Sequence, residues 1–227
     1  MRVKICGITT PDDARAAVSA GADAIGLNFV GGPRRIGPDQ AAEMLARVAP
    51  FVVPVALVRV DAEGLSSSTR SFLTGLGIFD VQVYGCLTAR GLAELREGGW
   101  RVMPVVAVRD AHFAEQMTAD REHGSLLTRA SAMVLDAYDP GREGGTGRTF
   151  CWEWVQTARE EGRLDGWPPI VLAGGLHPEN VAEAVRVVRP YAVDVSSGVE
   201  VDGVPGRKDV EKMRRFVKNA KHAAAAE

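Results

Sequence analysis

The 227-residue chain is 46% hydrophobic and 25% charged, which is ordinary for a globular domain and enough for one sizeable core. Its 27 basic and 29 acidic residues give a net charge of −2, which offers no general attraction to nucleic acid or to an anionic membrane. No apolar run approaches the roughly 20 residues that span a bilayer, and Lys4 and Gly7 interrupt any signal-peptide core. Three cysteines without paired spacing favour reduced thiols, so we expect a cytoplasmic protein.

Eight short apolar runs alternate with amphipathic stretches along the whole chain. The runs lack the in-and-out alternation of half-exposed strands, as is typical of parallel strands buried on both faces. The predicted strands are residues 3–5, 24–29, 52–58, 81–84, 102–106, 132–135, 170–173 and 192–195.

The stretches between these runs carry residues that start and stop helices. They are Thr10-Pro11 and Gly21 for the first helix, Gly37-Pro38 for the second and His177-Pro178 for the seventh. The last helix is predicted to begin near Asp209, and residues 222–227 are expected to fray. Residues 110–129 give a poor pattern for a single helix.

Eight strand–helix units predict an α/β fold, a single (β/α)8 barrel domain over residues 1–227. A doubly wound open sheet is the alternative. Such a sheet usually carries a G-x-G-x-x-G fingerprint after its first strand, where this chain has Cys6-Gly7-Ile8-Thr9. No Pro/Ser-rich linker divides the chain, which favours the barrel.

Reactive side chains stand at strand ends, the edge where barrel sites lie. Cys6 ends the first strand, Arg34 follows the second, Tyr84 ends the fourth and Asp136 ends the sixth. A thiol and a carboxyl group that face each other across a barrel mouth suit proton transfer at two atoms of one small molecule. The glycine-rich residues 144–147 suit a mobile lid, although a plain surface loop fits them equally.

Small residues follow the two strands after which barrel enzymes often bind phosphate. Gly174 and Gly175 follow the seventh strand, and Ser197 and Gly198 follow the eighth. Each pair alone is also typical of a tight turn, but together they predict backbone amides that converge on a phosphate. Asp194, in the last strand, is expected to point into the barrel.

The histidines give no sign of a metal site. They stand at 112, 123, 177 and 222, and none lies at ligand spacing from another His or from a Cys. A Cys–His nucleophile pair is disfavoured, because no His ends a predicted strand. We therefore expect no metal site.

Several longer motifs span the chain from end to end. They are residues 3–9, 21–27, 33–34, 135–136, 144–147, 150–152, 172–176, 178–181, 189–200 and 205–209. In these motifs the chain resembles the phosphoribosylanthranilate isomerase family of tryptophan biosynthesis. The resemblance implies a TIM barrel and an Amadori rearrangement of N-(5-phosphoribosyl)anthranilate to 1-(2-carboxyphenylamino)-1-deoxyribulose 5-phosphate, with no cofactor.

The resemblance also implies roles for four residues. Asp136 matches the general acid that opens the ribose ring, and Cys6 matches the general base that removes the C2 proton. Arg34 matches the arginine that meets the anthranilate carboxylate, and Asp194 matches an aspartate that contacts the substrate. A thiol base near neutrality is expected to need a pKa below its usual ~8.5. Lys4 lies on the same side of the strand as Cys6, but the sequence does not show whether the two meet.

The middle of the chain departs from the family pattern. Tyr84 stands where the family usually has a histidine, Cys151 stands where Asp is common, and residues 56–60 differ in character. Tyr84 supports one alternative, a sister isomerase acting on another N-substituted ribosylamine phosphate. A non-catalytic phosphosugar-binding barrel is disfavoured, because Cys6 and Asp136 are both present. We expect a small phosphorylated substrate as the partner and a monomer, with a dimer left open.

Overall fold

The computed structural model describes residues 1–48, 50–119, 129–137 and 149–225. In this part of the chain, eight parallel strands pair in sequence order and close into a barrel, which confirms the predicted fold class. The strands are β1 (Arg2–Cys6), β2 (Ala24–Asn28), β3 (Val53–Val60), β4 (Asp80–Gly85), β5 (Arg101–Val108), β6 (Met133–Ala137), β7 (Ile170–Leu172) and β8 (Ala192–Val195). The helices are α1 (Pro11–Ser19), α2 (Pro38–Leu45), α3 (Ser67–Gly75), α4 (Ala89–Glu97), α5 (Phe113–Ala119), α6 (Glu153–Glu160), α7 (Val181–Val188) and α8 (Val210–Ala225).

Two strands reach further toward the site than their apolar runs predict. β3 continues through Arg59, which pairs with Tyr84 on β4. β5 continues through Ala107, which pairs with Asp136 on β6. Arg59 and Ala107 line the cavity at the mouth of the barrel, and the charge of Arg59 ends the apolar run of β3 before the strand itself ends.

The first helix begins as predicted, but the seventh does not. Thr10 caps α1 by accepting a hydrogen bond from the amide of Asp13, with Pro11 as the first helical residue. His177-Pro178, by contrast, lies in a turn, and α7 begins only at Val181. The side chain of Asn180 accepts a bond from the His177 amide at 2.8 Å, so this side chain closes the turn and Pro178 stays outside the helix.

The chain was expected to fray from residue 222, and this expectation is wrong for residues 222–225, which are helical. α8 continues to Ala225, and Ala223 is buried together with Phe216 and Ala220. Burial of this apolar stripe against the barrel holds the last turns of the helix. Residues 226–227, the glycine-rich residues 144–147 and His123 lie outside the described residues. Among the residues described, no helix combines the length and apolar character needed to cross a membrane.

Strand alternation separates a packed core from a polar barrel interior. On β1, Val3 and Ile5 belong to the large core between sheet and helices, whereas Lys4 and Cys6 point inward. A second, smaller core fills one end of the barrel with Ala132, Val134, Val171, Ala173 and Ala192. Because inward positions repeat every two residues, the residues two steps further along these strands, Asp136 and Asp194, lie above this plug and form the floor of the site.

Candidate active site

The carboxyl ends of the strands enclose a cavity of about 1250 Å³. It brings together nearly all the residues predicted from the sequence: Cys6, Arg34, Tyr84, Asp136, Gly174, Gly175, Asp194 and Ser197 line it. Gly198 does not line it but belongs to the same loop as Ser197. Arg59 and Arg109 also line this cavity, although the sequence did not single them out. Among the described residues, no three His, Cys, Asp or Glu side chains are grouped to hold a metal ion.

A buried lysine organises the floor of the cavity. The Nζ of Lys4 donates to Oδ2 of Asp194 at 2.6 Å and to Oε1 of Gln82 at 2.9 Å. Gln82 in turn donates from Nε2 to the hydroxyl of Tyr84 at 2.9 Å. Burial alone would lower the pKa of Lys4, but the charges of Asp194 and Cys6 raise it above its usual value. The ammonium group therefore stays charged beneath the cavity.

The thiol of Cys6 is buried, and burial has the largest influence on its pKa. A Cβ at Gly26 would lie 2.6 Å from Sγ, so only glycine on β2 leaves room for the sulfur. Burial raises the pKa of the Cys6 thiol, and the positive charges of Lys4 and Lys208 offset this effect only in part. The free protein therefore does not give this thiol the lowered pKa that a base near neutrality needs, because the desolvation of a thiolate outweighs its attraction to nearby cations.

Asp136 has the properties of a general acid near neutral pH. Its Oδ1 accepts a hydrogen bond from the amide of Ala137 at 2.8 Å. Burial, with the negative charge of Asp194, raises the pKa of Asp136 to about 6. At Gly174, with φ +84°, a Cβ would lie 2.9 Å from Oδ1 and 2.5 Å from the Ala137 amide nitrogen. Only glycine therefore lets the loop after β7 approach this carboxyl group.

Tyr84 lines the same cavity as a neutral group. Burial raises its pKa well above the usual value, and the negative charges of Cys6, Asp136 and Asp194 act in the same direction. At this position the phenol exchanges hydrogen bonds and carries no charge, unlike an imidazole.

Arg34 is held by a partner that the sequence did not reveal. Its Nε and Nη2 donate to Oε1 and Oε2 of Glu200 at 2.7 and 2.8 Å. The Nζ of Lys208 and the amide of Gly206 also donate to Oε1 of Glu200, each at 3.0 Å. Glu200 belongs to the motif at 189–200, but its partner lies 166 residues away. No local spacing could therefore identify the pair.

The two small-residue loops meet and expose their amides. The backbone N–H groups of Gly174, Gly175, Ser197 and Gly198 donate no hydrogen bond within the described part of the chain. A Cβ on Gly198 would lie 2.0 Å from the carbonyl oxygen of Leu176, so a glycine there brings the loops into contact. Within the described residues these four amides, from two loops in contact, therefore have no partner, and backbone donors of this kind can bind an anion where they converge; we call them the four-amide cup.

Comparison with known proteins places this geometry in a family. Residues 3–219 match the model of N-(5'phosphoribosyl)anthranilate (PRA) isomerase. The chain belongs to the phosphoribosylanthranilate isomerase family. An N-(5'-phosphoribosyl)anthranilate isomerase from Trichlorobacter lovleyi is 44% identical over 98% of this chain and 99% of its own.

Solved structures confirm the barrel of this isomerase. The phosphoribosylanthranilate isomerase from Thermotoga maritima superimposes with a TM-score of 0.81 at 34% identity, covering 98% of this chain and 99% of that one. A second structure of such an isomerase, in complex with reduced 1-(o-carboxyphenylamino)-1-deoxyribulose 5-phosphate, gives a TM-score of 0.77 at 32% identity over 98% and 99% of the two chains. The family, the fold and the class of enzyme inferred from the motifs are confirmed: this is an isomerase of tryptophan biosynthesis.

Proposed function

We propose that this isomerase rearranges N-(5-phosphoribosyl)anthranilate with Asp136 as general acid and Cys6 as general base. The observation that carries the proposal is the pairing in one cavity of a carboxyl group whose pKa is about 6 with a buried thiol. The two groups stand on different strands of the same barrel mouth, so they can act on different atoms of one substrate. A protein that only bound a phosphosugar would need neither group.

The first step opens the ribose ring. The acid form of Asp136 gives its proton to the ring oxygen, the bond between that oxygen and C1 breaks, and the nitrogen lone pair forms a C=N⁺ bond. Because burial keeps Asp136 partly protonated near neutral pH, a proton is available without an external acid. The oxygen released becomes the C4 hydroxyl of an open chain, and Asp136 is left as a carboxylate.

The second step removes the proton from C2. The thiolate of Cys6 takes this proton, and the electrons of the C–H bond form the C1=C2 bond of an enolamine and neutralise the nitrogen. Protonation at C1 and loss of the C2 hydroxyl proton then give the ketone. The ammonium of Lys4, whose charge acts on the thiol, stabilises the thiolate, and the reaction needs no cofactor.

The remaining predicted residues bind the two ends and the middle of the substrate. We assign the phosphate to the amides of Gly174, Gly175, Ser197 and Gly198, and the anthranilate carboxylate to Arg34. Oδ1 of Asp194 is buried and has no hydrogen-bond partner among the described residues, so we assign it a substrate hydroxyl. Buried acceptors without partners are costly, and a bound hydroxyl would satisfy this one.

An anion is expected at the four-amide cup in crystals grown with phosphate or sulfate. The four amides have no partner among the described residues, and each donor bond to a charged acceptor is stronger than a bond to a neutral one. The measurement is difference density at the cup in crystals grown with and without the anion. A well-ordered cup that stays empty at high anion concentration would remove the physical support for the phosphate site.

Replacing Tyr84 by His tests which ribosylamine is the substrate. If it is phosphoribosylanthranilate, the site is adapted to a neutral phenol bonded to Gln82, and Tyr84→His is expected to leave kcat/KM on that compound unchanged or lower. The measurement is steady-state kinetics of both proteins on phosphoribosylanthranilate. A slow natural enzyme with a faster His variant would favour the sister isomerase instead.

The proposal also covers the oligomeric state of the active enzyme and its cellular compartment. The assigned residues lie at the mouth of a single barrel, where nearly all of them line one cavity, so one barrel holds a whole site and we propose the monomer as the catalytic unit. The free thiol of Cys6 supports a reducing compartment, and we propose the cytoplasm.

A further inference from the structure

Arg34 presents only part of its guanidinium group to the cavity. A guanidinium carries five N–H donors in a planar fork, and two of them, on Nε and Nη2, are bonded to Glu200. Among the described residues, the two donors on Nη1 and the second donor on Nη2 make no hydrogen bond. The edge formed by Nη1 and Nη2 can therefore receive a carboxylate with two parallel bonds, because the edge formed by Nε and Nη2 is already occupied.

Glu200 is itself fixed in place. Its carboxylate is 7% exposed, and Lys208 and Gly206 both donate to Oε1, the oxygen that also accepts from Nε of Arg34. The Lys208 side chain is fully buried and also donates to the carbonyl of Ser196 at 3.0 Å. Burial alone would raise the pKa of Glu200, but Arg34 and Lys208 keep it below the usual value. Glu200 is thus a rigid anion that cannot turn away from Arg34.

Arg34, Glu200 and Lys208 form a charged cluster, and its net charge leaves Arg34 attractive to an anion. Glu200 carries one negative charge, and Arg34 and Lys208 carry one positive charge each, so the cluster has a surplus of one positive charge. Without Lys208, Glu200 would cancel the charge of Arg34 and oppose the approach of a substrate carboxylate. Glu200 therefore orients the guanidinium while Lys208 offsets the electrostatic cost of doing so.

We propose that Glu200 is a positioning residue that holds Arg34 by one edge, so that the other edge is presented to the carboxylate of the substrate's aryl ring. The inference rests on the proposed function and adds the means by which the site discriminates an ortho-carboxylated aryl ring from a plain one. Arg34 touches the substrate, whereas Glu200 acts through Arg34. Gly7 is part of the same arrangement, because a Cβ there would lie 2.6 Å from Cδ of Arg34.

The test compares two ligands that differ only in the aryl carboxylate. They are reduced 1-(2-carboxyphenylamino)-1-deoxyribulose 5-phosphate and the same compound with a plain phenyl ring. Glu200→Gln keeps the shape of the side chain but replaces one oxygen by an N–H donor that opposes the guanidinium. We expect calorimetry to show affinity for the carboxylated ligand weakened by at least about tenfold, the loss of a charge-assisted bond, and affinity for the phenyl ligand nearly unchanged.

Two further variants make the result specific. Asp202→Asn is the matched control, because it makes the same carboxylate-to-amide change in an exposed ion pair with Lys212; neither affinity is expected to change. Arg34→Lys is expected to lose the same preference, and Glu200→Gln in the Arg34→Lys background should add little to that loss. If Glu200→Gln fails to fold, Glu200→Asp replaces it, because the shorter carboxylate cannot reach both nitrogens.

Several outcomes would overturn the proposal. Equal weakening of both ligands would show that Glu200 only supports the fold of the loop. Tighter binding of the carboxylated ligand would show that Glu200 competes with the substrate for Arg34, and an unchanged preference would show that Arg34 needs no partner. A natural enzyme that binds neither ligand would contradict the proposed function itself, and one that binds both equally would contradict the assignment of Arg34.

Discussion

Replacing Asp136 by Asn is expected to lower kcat by at least about 100-fold, the size of a general acid contribution. The amide keeps the shape of the side chain and its bond from the Ala137 amide, but it cannot give a proton to the ring oxygen. The loss should therefore appear in a variant that is folded and still binds substrate. The measurement is kcat and KM on phosphoribosylanthranilate, with a melting curve as the check on folding.

The pH profile identifies the group that is lost. Burial and the charge of Asp194 raise the pKa of Asp136 to about 6, and burial raises the pKa of Cys6. The active form needs Asp136 protonated and Cys6 ionised. At pH values between the two pKa values, only a small fraction of the enzyme is in this protonation state. In that range the protonated fraction of Asp136 falls tenfold per pH unit while the ionised fraction of Cys6 rises tenfold, so kcat/KM is expected to be flat. Below about pH 6, where Asp136 is already protonated, kcat/KM should decrease as the pH is lowered, because the ionised fraction of Cys6 decreases.

Asp136→Asn is expected to remove the break near pH 6. With the acid gone, the residual kcat/KM should follow the thiolate of Cys6 alone and keep rising with pH through neutrality. Asp202→Asn, an exposed carboxylate changed in the same way, should keep the flat profile and the full rate. A variant of Asp136 with a low rate but an unchanged break would mean that another group supplies the proton.

The barrel could be predicted from the sequence because each of its signals is local. Apolar runs and helix caps repeat along the chain, and the chemistry of a barrel collects at strand ends. The order of the strands was therefore enough to predict that Cys6, Asp136 and Gly174 lie at one cavity. Pro178 misled the same reasoning, because proline suits a tight turn as well as the first turn of a helix. The side chain of Asn180 decided between the two.

The interactions inside the site could not be predicted in the same way. Lys4 and Asp194 are 190 residues apart in sequence, and Arg34 and Glu200 are 166 apart. These partners meet only because the barrel closes β1 against β8. The pKa of Cys6 depends on how burial compares with nearby charge, and that balance is a property of the folded site. The sequence therefore predicted which groups are present, but not which of them are charged.

Replacing Cys6 by Ala is expected to lower kcat by at least about 100-fold, because no base then faces C2 of the substrate. Cys6→Ser should be nearly as slow, since a serine hydroxyl is far harder to ionise than a thiol beside Lys4. Substrate deuterated at ribose C2 provides the direct readout. Its isotope effect on kcat should be larger in Cys6→Ser than in the natural enzyme, because removal of the proton becomes the slowest step.

The other two cysteines provide the matched control. Cys86 and Cys151 are both free and exposed and do not line the cavity, so the double change Cys86→Ser and Cys151→Ser should keep kcat and its isotope effect. In that background Cys6 is the only thiol, and the rate at which iodoacetamide alkylates it at different pH values reports its pKa. A value above that of an ordinary thiol, with a kcat/KM that declines only above it, is expected if burial governs the thiol. Near-normal turnover by a folded Cys6→Ala variant would assign the C2 proton to another group.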